Sequence, residues 1–232
     1  MLRLERLSVS YGKQNIIEDL SFGFAEKAVY AVVGKSGSGK STLIKAVASI
    51  LPHGGQVLWN DAPLDPQEHR VALVPQSNGL IPWKTVGENI ALPFKLRGKF
   101  DPKAMEDLCE ELGIGSLLNQ YPRHISGGQC QRAAMARAFL TNPHVLLLDE
   151  AFGALDAITR DEAHRVFLDT FRRHPITTVM VTHDIREALT LGRYLLIFRD
   201  GAIAEVLENP LWASEDRELR LPILAKEIKE KL

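Results

Sequence analysis

A glycine-rich loop after a short apolar run constrains the fold of this chain more than any other feature. The run occupies residues 29–33, and the loop that follows it is Gly34, Lys35, Ser36, Gly37, Ser38, Gly39, Lys40, Ser41 and Thr42. This is the strand–GxxxxGK[ST]–helix pattern, in which backbone N–H groups and a helix N-terminus surround a phosphate. It predicts nucleotide binding, with Lys40 on the β- and γ-phosphates and the Ser41 hydroxyl on Mg²⁺. The alternative is a glycine-rich turn that binds nothing, and the apolar strand before the loop disfavours it.

The composition fits one large α/β domain with a small insertion. The chain has 232 residues, of which 45% are hydrophobic, so a core can form without disulfides or a structural metal. Lys and Arg (28) nearly balance Asp and Glu (29), which argues against nucleic acid as a partner. Cys109 and Cys130 fit no metal spacing and are expected to pack between helices in a reducing compartment. We find no signal-peptide pattern and no run of about 18 apolar residues, so we expect a cytosolic chain.

Hydrophobic patterning divides the chain into a core, a helical insertion and a tail. Residues 2–9 alternate and predict an edge strand, and residues 156–173 predict a helix with Ile158 and Phe167 on its apolar side. Further strands are expected at 16–24, 56–60, 71–75, 145–148, 177–182, and at 194–198 and 202–207 as a hairpin. Further helices are expected at 85–97, 102–112 and 126–140. The expected division is therefore a core of 1–77 and 141–210, a helical subdomain of 78–140 and a helical tail of 211–232.

Polar residues stand at or just beyond the ends of several predicted core strands. Besides the glycine-rich loop these are Gln76, the pair Asp149 and Glu150, and His183. Ligands bind at the carboxyl edge of a parallel sheet, so we expect these groups to meet there. Asp149 is expected to hold Mg²⁺ and Glu150 to polarise the water that attacks the γ-phosphate. The alternatives are acids that only cap the next helix and a structural histidine.

A second glycine-rich helix start occurs at Ser126, Gly127, Gly128 and Gln129. Serine and two glycines at a helix N-terminus form an anion-binding nest separate from the first loop. One nucleotide does not need two such nests on one subunit, whereas two subunits facing head-to-tail across two nucleotides would use both. The motif therefore hints at a dimer, and the alternative is an ordinary helix N-cap.

These motifs, in this order, resemble the ATP-binding subunit of an ATP-binding cassette (ABC) transporter, and the likeness covers residues 2 to about 210. The resemblance implies the following matches: Walker A at 34–41, the Q-loop residue Gln76, the signature at 126–129, Walker B at 145–149, the catalytic glutamate Glu150, the D-loop at 154–156 with Asp156, the switch histidine His183, and Tyr11 as the aromatic residue that stacks on adenine.

What the resemblance implies about fold and activity is equally specific. It implies a P-loop NTPase core with a parallel sheet, an N-terminal antiparallel β subdomain and an inserted α-helical subdomain. It also implies ATP hydrolysis with Mg²⁺, held by Ser41, Asp149 and Gln76, in a homodimer around two ATP. The subunit would drive a separate membrane permease from the cytoplasmic face of the bacterial inner membrane, with a solute-binding protein as an indirect partner. The chain departs from the family pattern at Ile125, usually leucine, and at Ala151, usually proline, which leaves the D-loop less rigidly set.

One stretch resembles a particular branch of the family. Residues 79–93 are similar to importers of nitrate, sulfonates and taurine, and residues 152–157 and 159–160 agree with that branch. The exposed apolar stretch 80–83 is expected to dock a permease helix, with Trp83 as the anchor, and the alternative is loop packing. The rival functions are an exporter or lipid-transport ATPase, and a soluble cassette acting on ribosomes or DNA. Resembling soluble families carry two cassettes or a long coiled coil, which this sequence lacks.

Overall fold

Two β-sheets, with helices packed around them, make up the structure. The computed structural model describes residues 1–65, 68–97, 100–212 and 217–231. The strands are β1 (Leu2–Tyr11), β2 (Gln14–Phe24), β3 (Val29–Val33), β4 (Gly54–Trp59), β5 (Ala62–Pro63), β6 (Val71–Val74), β7 (Val145–Asp149), β8 (Thr177–Thr182), β9 (Tyr194–Arg199) and β10 (Ala202–Glu208). The α-helices are α1 (Lys40–Val47), α2 (Val86–Arg97), α3 (Pro102–Glu111), α4 (Gly127–Leu140), α5 (Ala157–Arg173), α6 (Ile185–Leu191) and α7 (Arg217–Glu230).

The larger sheet has six strands in the order β10-β9-β3-β8-β7-β6. All neighbouring pairs from β9 to β6 are parallel, and β10 adds an antiparallel edge through the hairpin with β9. Strands β3 and β8 are buried at every position. Burial on both faces explains their nearly continuous apolar and β-branched sequences, because neither face needs polar residues. The expected parallel-sheet core is therefore present.

The smaller sheet has the order β2-β1-β4-β5 and is antiparallel throughout. Strand β1 pairs with β2 on one side and β4 on the other, so the prediction that it is an edge strand is wrong. Its alternating pattern identifies a buried face and an exposed face, but it does not show which later strands pair with its two edges. The rest of the predicted antiparallel subdomain is borne out.

Among the described residues, three α-helices and two short 3₁₀ helices lie between β6 and β7, where a helical insertion was expected. Helix α4 packs against both α2 and α3. Asp101 caps α3 by accepting hydrogen bonds from the backbone N–H groups of Lys103 and Ala104, and Pro102 takes the first helical position, where its missing N–H costs nothing. The exact boundaries of the core, the helical subdomain and the tail stay predictions.

The core consists of two apolar clusters on opposite faces of the larger sheet. Strand β3 shows the division clearly, since Val29, Ala31 and Val33 join one cluster while Tyr30 and Val32 join the other. The first cluster includes the helical side, where burial raises the pKa of the Cys109 thiol to about 11, as fits a packing residue. The second joins the smaller sheet and α1. In the described part of the chain, no helix combines the length and apolar character needed to cross a membrane.

One predicted core position on α5 is wrong. Phe167 is fully buried, but Ile158 is 84% exposed. Each residue turns an α-helix by about 100°, so these two positions point in opposite directions. Ile158 therefore belongs to the outer face of α5.

Candidate functional site

The loop between β3 and α1 follows a path that glycine makes possible. A Cβ atom on Gly34 would lie 2.1 Å from the carbonyl oxygen of Phe198. Gly37 and Gly39 have φ angles of +82° and +100°, in the region that favours glycine. Gly39 directly precedes α1, so the loop ends on a helix N-terminus. The pattern seen in the sequence thus produces the expected strand–loop–helix unit.

Lys40 places a buried positive charge inside this loop. Its side chain donates hydrogen bonds to the carbonyl oxygens of Gly34 (2.8 Å) and Lys35 (2.7 Å). Burial lowers the pKa of Lys40, and the nearby carboxylates Glu150 and Asp149 oppose that effect. Ser38 Oγ is also buried and has no hydrogen-bond partner among the described residues. A cationic donor and an unpaired hydroxyl in one loop fit a phosphate group.

Ser41 and Asp149 meet at the carboxyl edge of the larger sheet. Ser41 Oγ donates a hydrogen bond of 2.8 Å to Asp149 Oδ1, joining the start of α1 to the end of β7. Mg²⁺ prefers oxygen ligands and is usually held by one or two protein groups together with phosphates and water. The described residues contain no cluster of three or more His, Cys, Asp or Glu that could hold a metal. The oxygens of Ser41 and Asp149 therefore fit as the two protein ligands of a Mg²⁺ ion that enters together with a nucleotide.

Glu150 lies between two polar side chains from the adjacent strand ends. Its Oε2 is 3.3 Å from His183 Nδ1 and 3.4 Å from Gln76 Nε2. These residues follow β7, β8 and β6, which are neighbours in the sheet. Glu150 also has a φ of +48°, an uncommon conformation for a residue with a side chain. Such backbone strain clusters at functional sites, where it fixes the direction of a side chain.

The second glycine-rich motif is a complete helix cap. Ser126 Oγ accepts from the Gln129 N–H, and the Gln129 side chain accepts from the Ser126 N–H, forming a capping box. Gly128 lies against α5, where a Cβ would approach Thr159 Cγ2 to 2.4 Å. Among the described residues no hydrogen bond joins this motif to the first loop. The anion-binding role of residues 126–129 stays a prediction.

The remaining predicted residues lie around these groups. Asp156 caps α5, and hydrogen bonds from Thr159 lower its pKa. Tyr11 ends β1 and is 50% exposed, and Ile16 on the next strand lies against Gly39. Lys35 and Ser36 are exposed at the loop tip, and Thr42 is half-buried on α1.

Two side chains that the sequence analysis did not single out hold the segment after Gln76. Arg137 on α4 donates to the carbonyl oxygens of Gly79 (2.7 Å) and Asn78 (2.8 Å). Asn89, fully buried on α2, accepts from the N–H of Ile81 and donates to carbonyl groups of the turn at 81–85. The available signal was an asparagine next to the apolar residues Ile90, Ala91 and Leu92 of α2, since a buried amide requires hydrogen-bond partners. These bonds hold a turn that presents Trp83, which is 76% exposed.

A third unpredicted side chain is Arg160 on α5. It donates to the carbonyl oxygen of Leu155 (2.7 Å) and lies 3.4 Å from the carboxylate of Asp184. It thus joins the loop after Glu150 to the residue after His183. The sequence placed Arg160 only within a family-like stretch and gave it no role.

Comparisons with known proteins agree with this geometry. The family model described as "ABC transporter" matches residues 17–153, more than half of the chain. The aliphatic sulfonates import ATP-binding protein SsuB of Pseudomonas putida is 37% identical over 198 residues, covering 85% of this chain and 72% of that protein. SsuB 1 of Paracoccus denitrificans is 39% identical over 202 residues, covering 87% and 81%.

A solved structure extends the likeness to three dimensions. The dimeric, post-hydrolysis structure of the ATP-binding cassette MJ0796, bound to ADP and Pi, has a TM-score of 0.78 and 27% identity. The match covers 90% of this chain and 98% of that chain. The family predicted from the ordered motifs is thereby confirmed: this chain belongs to the ABC transporter family, as a subunit that binds and hydrolyses ATP.

Proposed function

We propose that this chain energises uptake of a small sulfonate, or a related solute such as taurine or nitrate, through a separate membrane permease. The relatives named as aliphatic sulfonate import proteins support the importer branch and the solute class. The observation that carries the ATPase role is the position of Glu150, directly after Asp149 and in contact with His183. The proposed location is the cytoplasmic face of the inner membrane, with a solute-binding protein delivering solute to the permease.

The chemical roles follow from the contacts at the sheet edge. Lys40 and the N–H groups of residues 34–42 bind the phosphates, and Ser41 and Asp149 hold Mg²⁺ with Gln76 nearby. The metal neutralises negative charge on the phosphates when it is bound. Glu150 orients a water and accepts its proton as the oxygen attacks the γ-phosphorus and the bond to the bridging oxygen breaks. His183 donates a hydrogen bond to the γ-phosphate, and Tyr11 stacks on adenine.

The second motif completes the site from another subunit in this proposal. Ser126, Gly127, Gly128 and Gln129 of one copy face the nucleotide held by the other copy, and Asp156 lies in the same interface. Positioning and charge stabilisation dominate phosphoryl-transfer catalysis, so closing the two copies around ATP assembles the active arrangement. The dimeric MJ0796 structure supports this arrangement.

Contact with the permease is assigned to the turn held by Arg137 and Asn89. The turn follows Gln76 along the chain, and Trp83 projects from it. An exposed aromatic side chain on a fixed turn suits insertion into a partner groove. Movement of the permease would reach the nucleotide site through Gln76.

Transport by the reconstituted system tests this function. The chain, its permease and its solute-binding protein are placed in liposomes, and ATP-dependent movement of labelled ethanesulfonate, taurine and nitrate is measured. We expect at least one solute to move from the side that holds the binding protein to the side that holds this chain, in an ATP-dependent manner, with no movement for Glu150→Gln. Transport in the opposite direction would favour the exporter alternative, and ATPase activity stimulated by ribosomes or DNA would favour the soluble one.

A further inference from the structure

Arg160 bridges two loops that carry proposed catalytic groups. Its Nη2 donates to the carbonyl oxygen of Leu155 at 2.7 Å, and its Nη1 lies 3.4 Å from Asp184 Oδ2. Leu155 ends the turn that begins at Glu150, and Asp184 directly follows His183. One guanidinium therefore contacts both the segment after the proposed base and the segment after the proposed γ-phosphate ligand.

The Asp184 carboxylate divides its two oxygens between separate tasks. Oδ1 accepts hydrogen bonds from the N–H groups of Arg186 and Glu187 and so caps α6, while Oδ2 faces Arg160. The Asp184 N–H in turn donates to Thr182 Oγ1 at 3.0 Å. His183 thus stands between two residues whose positions are fixed, one of them through Arg160.

The guanidinium also lies close to the reacting groups. Arg160, Glu150 and His183 line the same polar cavity of about 20 Å³. A shift of the loop after Glu150 would move the carbonyl group of Leu155, and the guanidinium would transmit that shift to Asp184. Glu150 and His183 are themselves 3.3 Å apart, so their relative placement is sensitive to such a shift.

A purely stabilising role for Arg160 accounts poorly for this arrangement. The side chains of Arg160 and Asp184 are 28% and 35% exposed, and a single partly exposed ion pair contributes little to stability. Helices α5 and α6 are also joined by a separate buried contact, 3.0 Å between His164 Nε2 and Glu187 Oε1. The two helices therefore remain connected when Arg160 is replaced.

We propose that Arg160 is a positioning residue for ATP hydrolysis: by holding Leu155 and Asp184 together it sets His183 relative to Glu150. The proposal rests on the function proposed above. Arginine suits the task because its planar guanidinium presents its donors in a rigid fork, whereas the ammonium of lysine is a compact charge on a flexible stem. Arg160 acts on the reaction through Asp184 and Leu155, and its loss misplaces groups without removing any of them.

Kinetics of the Arg160→Gln and Arg160→Lys variants of the full chain test this role. We expect Arg160→Gln to lower kcat by about tenfold to a hundredfold, as small misplacements of catalytic groups do. The KM and Kd for ATP should stay close to those of wild type, because losing an interaction that matters only in the transition state lowers kcat and kcat/KM equally. Arg160→Lys should recover part of the lost kcat. ATP-induced dimerisation should persist when Arg160→Gln is combined with Glu150→Gln.

A double-mutant cycle tests whether Asp184 is the route. Asp184→Asn keeps a helix-capping side chain but removes the carboxylate that faces Arg160. If the two residues act as one unit, the double variant should lose no more kcat than the larger single loss. Arg172→Ala is the matched control, because Arg172 lies on the same helix and its ion pair among the described residues is with nearby, exposed Asp169.

Specific results would overturn the proposal. These are wild-type kcat in Arg160→Gln, a loss of ATP affinity or thermal stability that accounts for the lost activity, or independent effects of Arg160 and Asp184. Failure of the proposed function is distinguishable, because Glu150→Gln would then retain turnover. If Arg160→Gln does not fold, the kcat and KM of Arg160→Lys and Asp184→Asn decide the question. The proposal requires a lower kcat with little change in KM for these variants as well.

Discussion

The two glycine-rich motifs of this chain occupy different structural settings. The first loop, at 34–42, has its functional groups in contact with other strand ends, as the hydrogen bond between Ser41 and Asp149 shows. The second motif, at 126–129, has its polar groups engaged in its own helix cap. One motif thus belongs to a site that a single chain assembles, and the other has no part in that site within the described residues.

This difference is what the proposed dimer requires, in which one chain binds the nucleotide and the second motif comes from another copy. The groups proposed to bind phosphate and metal follow β3 and lie at the end of β7, two strands of one sheet with β8 between them, so folding of one chain brings them together. The second motif lies on α4, beside Thr159 and Leu155, and in the proposed dimer it reaches the nucleotide of another copy. Mutations in the two motifs should therefore affect different steps, and the following predictions separate them.

The largest effect is expected at Glu150, within the site that one chain assembles. Glu150→Gln removes the proton acceptor but keeps the size of the side chain, so hydrolysis should fall by about 10² to 10⁴-fold, the usual contribution of a general base. ATP binding should persist, and an ATP-bound dimer should accumulate. Steady-state phosphate release and size-exclusion chromatography measure the two effects. Wild-type turnover in this variant would remove Glu150 from its role.

The second prediction concerns Ser126 in the other motif. Ser126→Arg places a bulky charged side chain where the partner's nucleotide should lie, so ATP-dependent dimerisation should weaken by about a hundredfold or more. Nucleotide affinity of the monomer should change little, as fluorescent-ATP titration would show.

Ser126→Ala is the control for that experiment. It removes the capping hydroxyl, which costs about 1 kcal/mol of stability, without adding bulk. If Ser126→Arg abolished nucleotide binding by the monomer, the second motif would belong to the chain's own site. If it affected only stability, as Ser126→Ala should, the motif would be an ordinary cap.

Much of the first site follows from local sequence. A continuous apolar strand ending in a polar residue predicts a buried parallel strand, and the carboxyl ends of such strands meet at one sheet edge. That reasoning predicted that Ser41, Asp149, Glu150 and His183 lie close together, because their placement at one sheet edge depends only on the direction and order of the strands. It required no knowledge of side-chain conformation.

The features that sequence reasoning missed depend on contacts between distant segments. The neighbours of β1 are decided by where β4 returns, and the partners of Arg160 are decided by how α5 packs beside α6. Neither relation leaves a periodic pattern in the sequence. Ile158 is a different case, because helical geometry alone would have placed it opposite Phe167.

The third prediction concerns Trp83, which belongs to neither motif. Trp83→Ala should weaken permease binding by about 2 kcal/mol, on the scale of an interface hot spot. Hydrolysis by the free subunit should persist, while stimulation by the permease and solute uptake fall. Ile50→Ala is the control, since Ile50 is also exposed (59%) but lies after α1. Full stimulation and uptake in Trp83→Ala would assign Trp83 to loop packing.

The smallest effect is expected at Ile158. A substitution there tests how far the contact between copies extends beyond the second glycine-rich motif. This side chain is 84% exposed and precedes Thr159, the residue that covers Gly128 in the second motif. Ile158→Ser should leave the free energy of unfolding within about 0.5 kcal/mol of wild type, as for most surface changes. It should also weaken ATP-dependent dimerisation in the Glu150→Gln background by up to about tenfold, or about 1.4 kcal/mol.

Phe167→Ala on the same helix provides the opposite result. Phe167 is fully buried, so its truncation should lower the free energy of unfolding by about 3–5 kcal/mol. Denaturant unfolding of both variants, together with analytical ultracentrifugation of Ile158→Ser with ATP, measures these quantities. A large stability loss in Ile158→Ser would indicate that the Ile158 side chain is buried in the core, as the sequence predicted. Unchanged dimerisation would instead show that the outer face of α5 lies outside the contact between copies, and would limit that contact to the second motif and the D-loop.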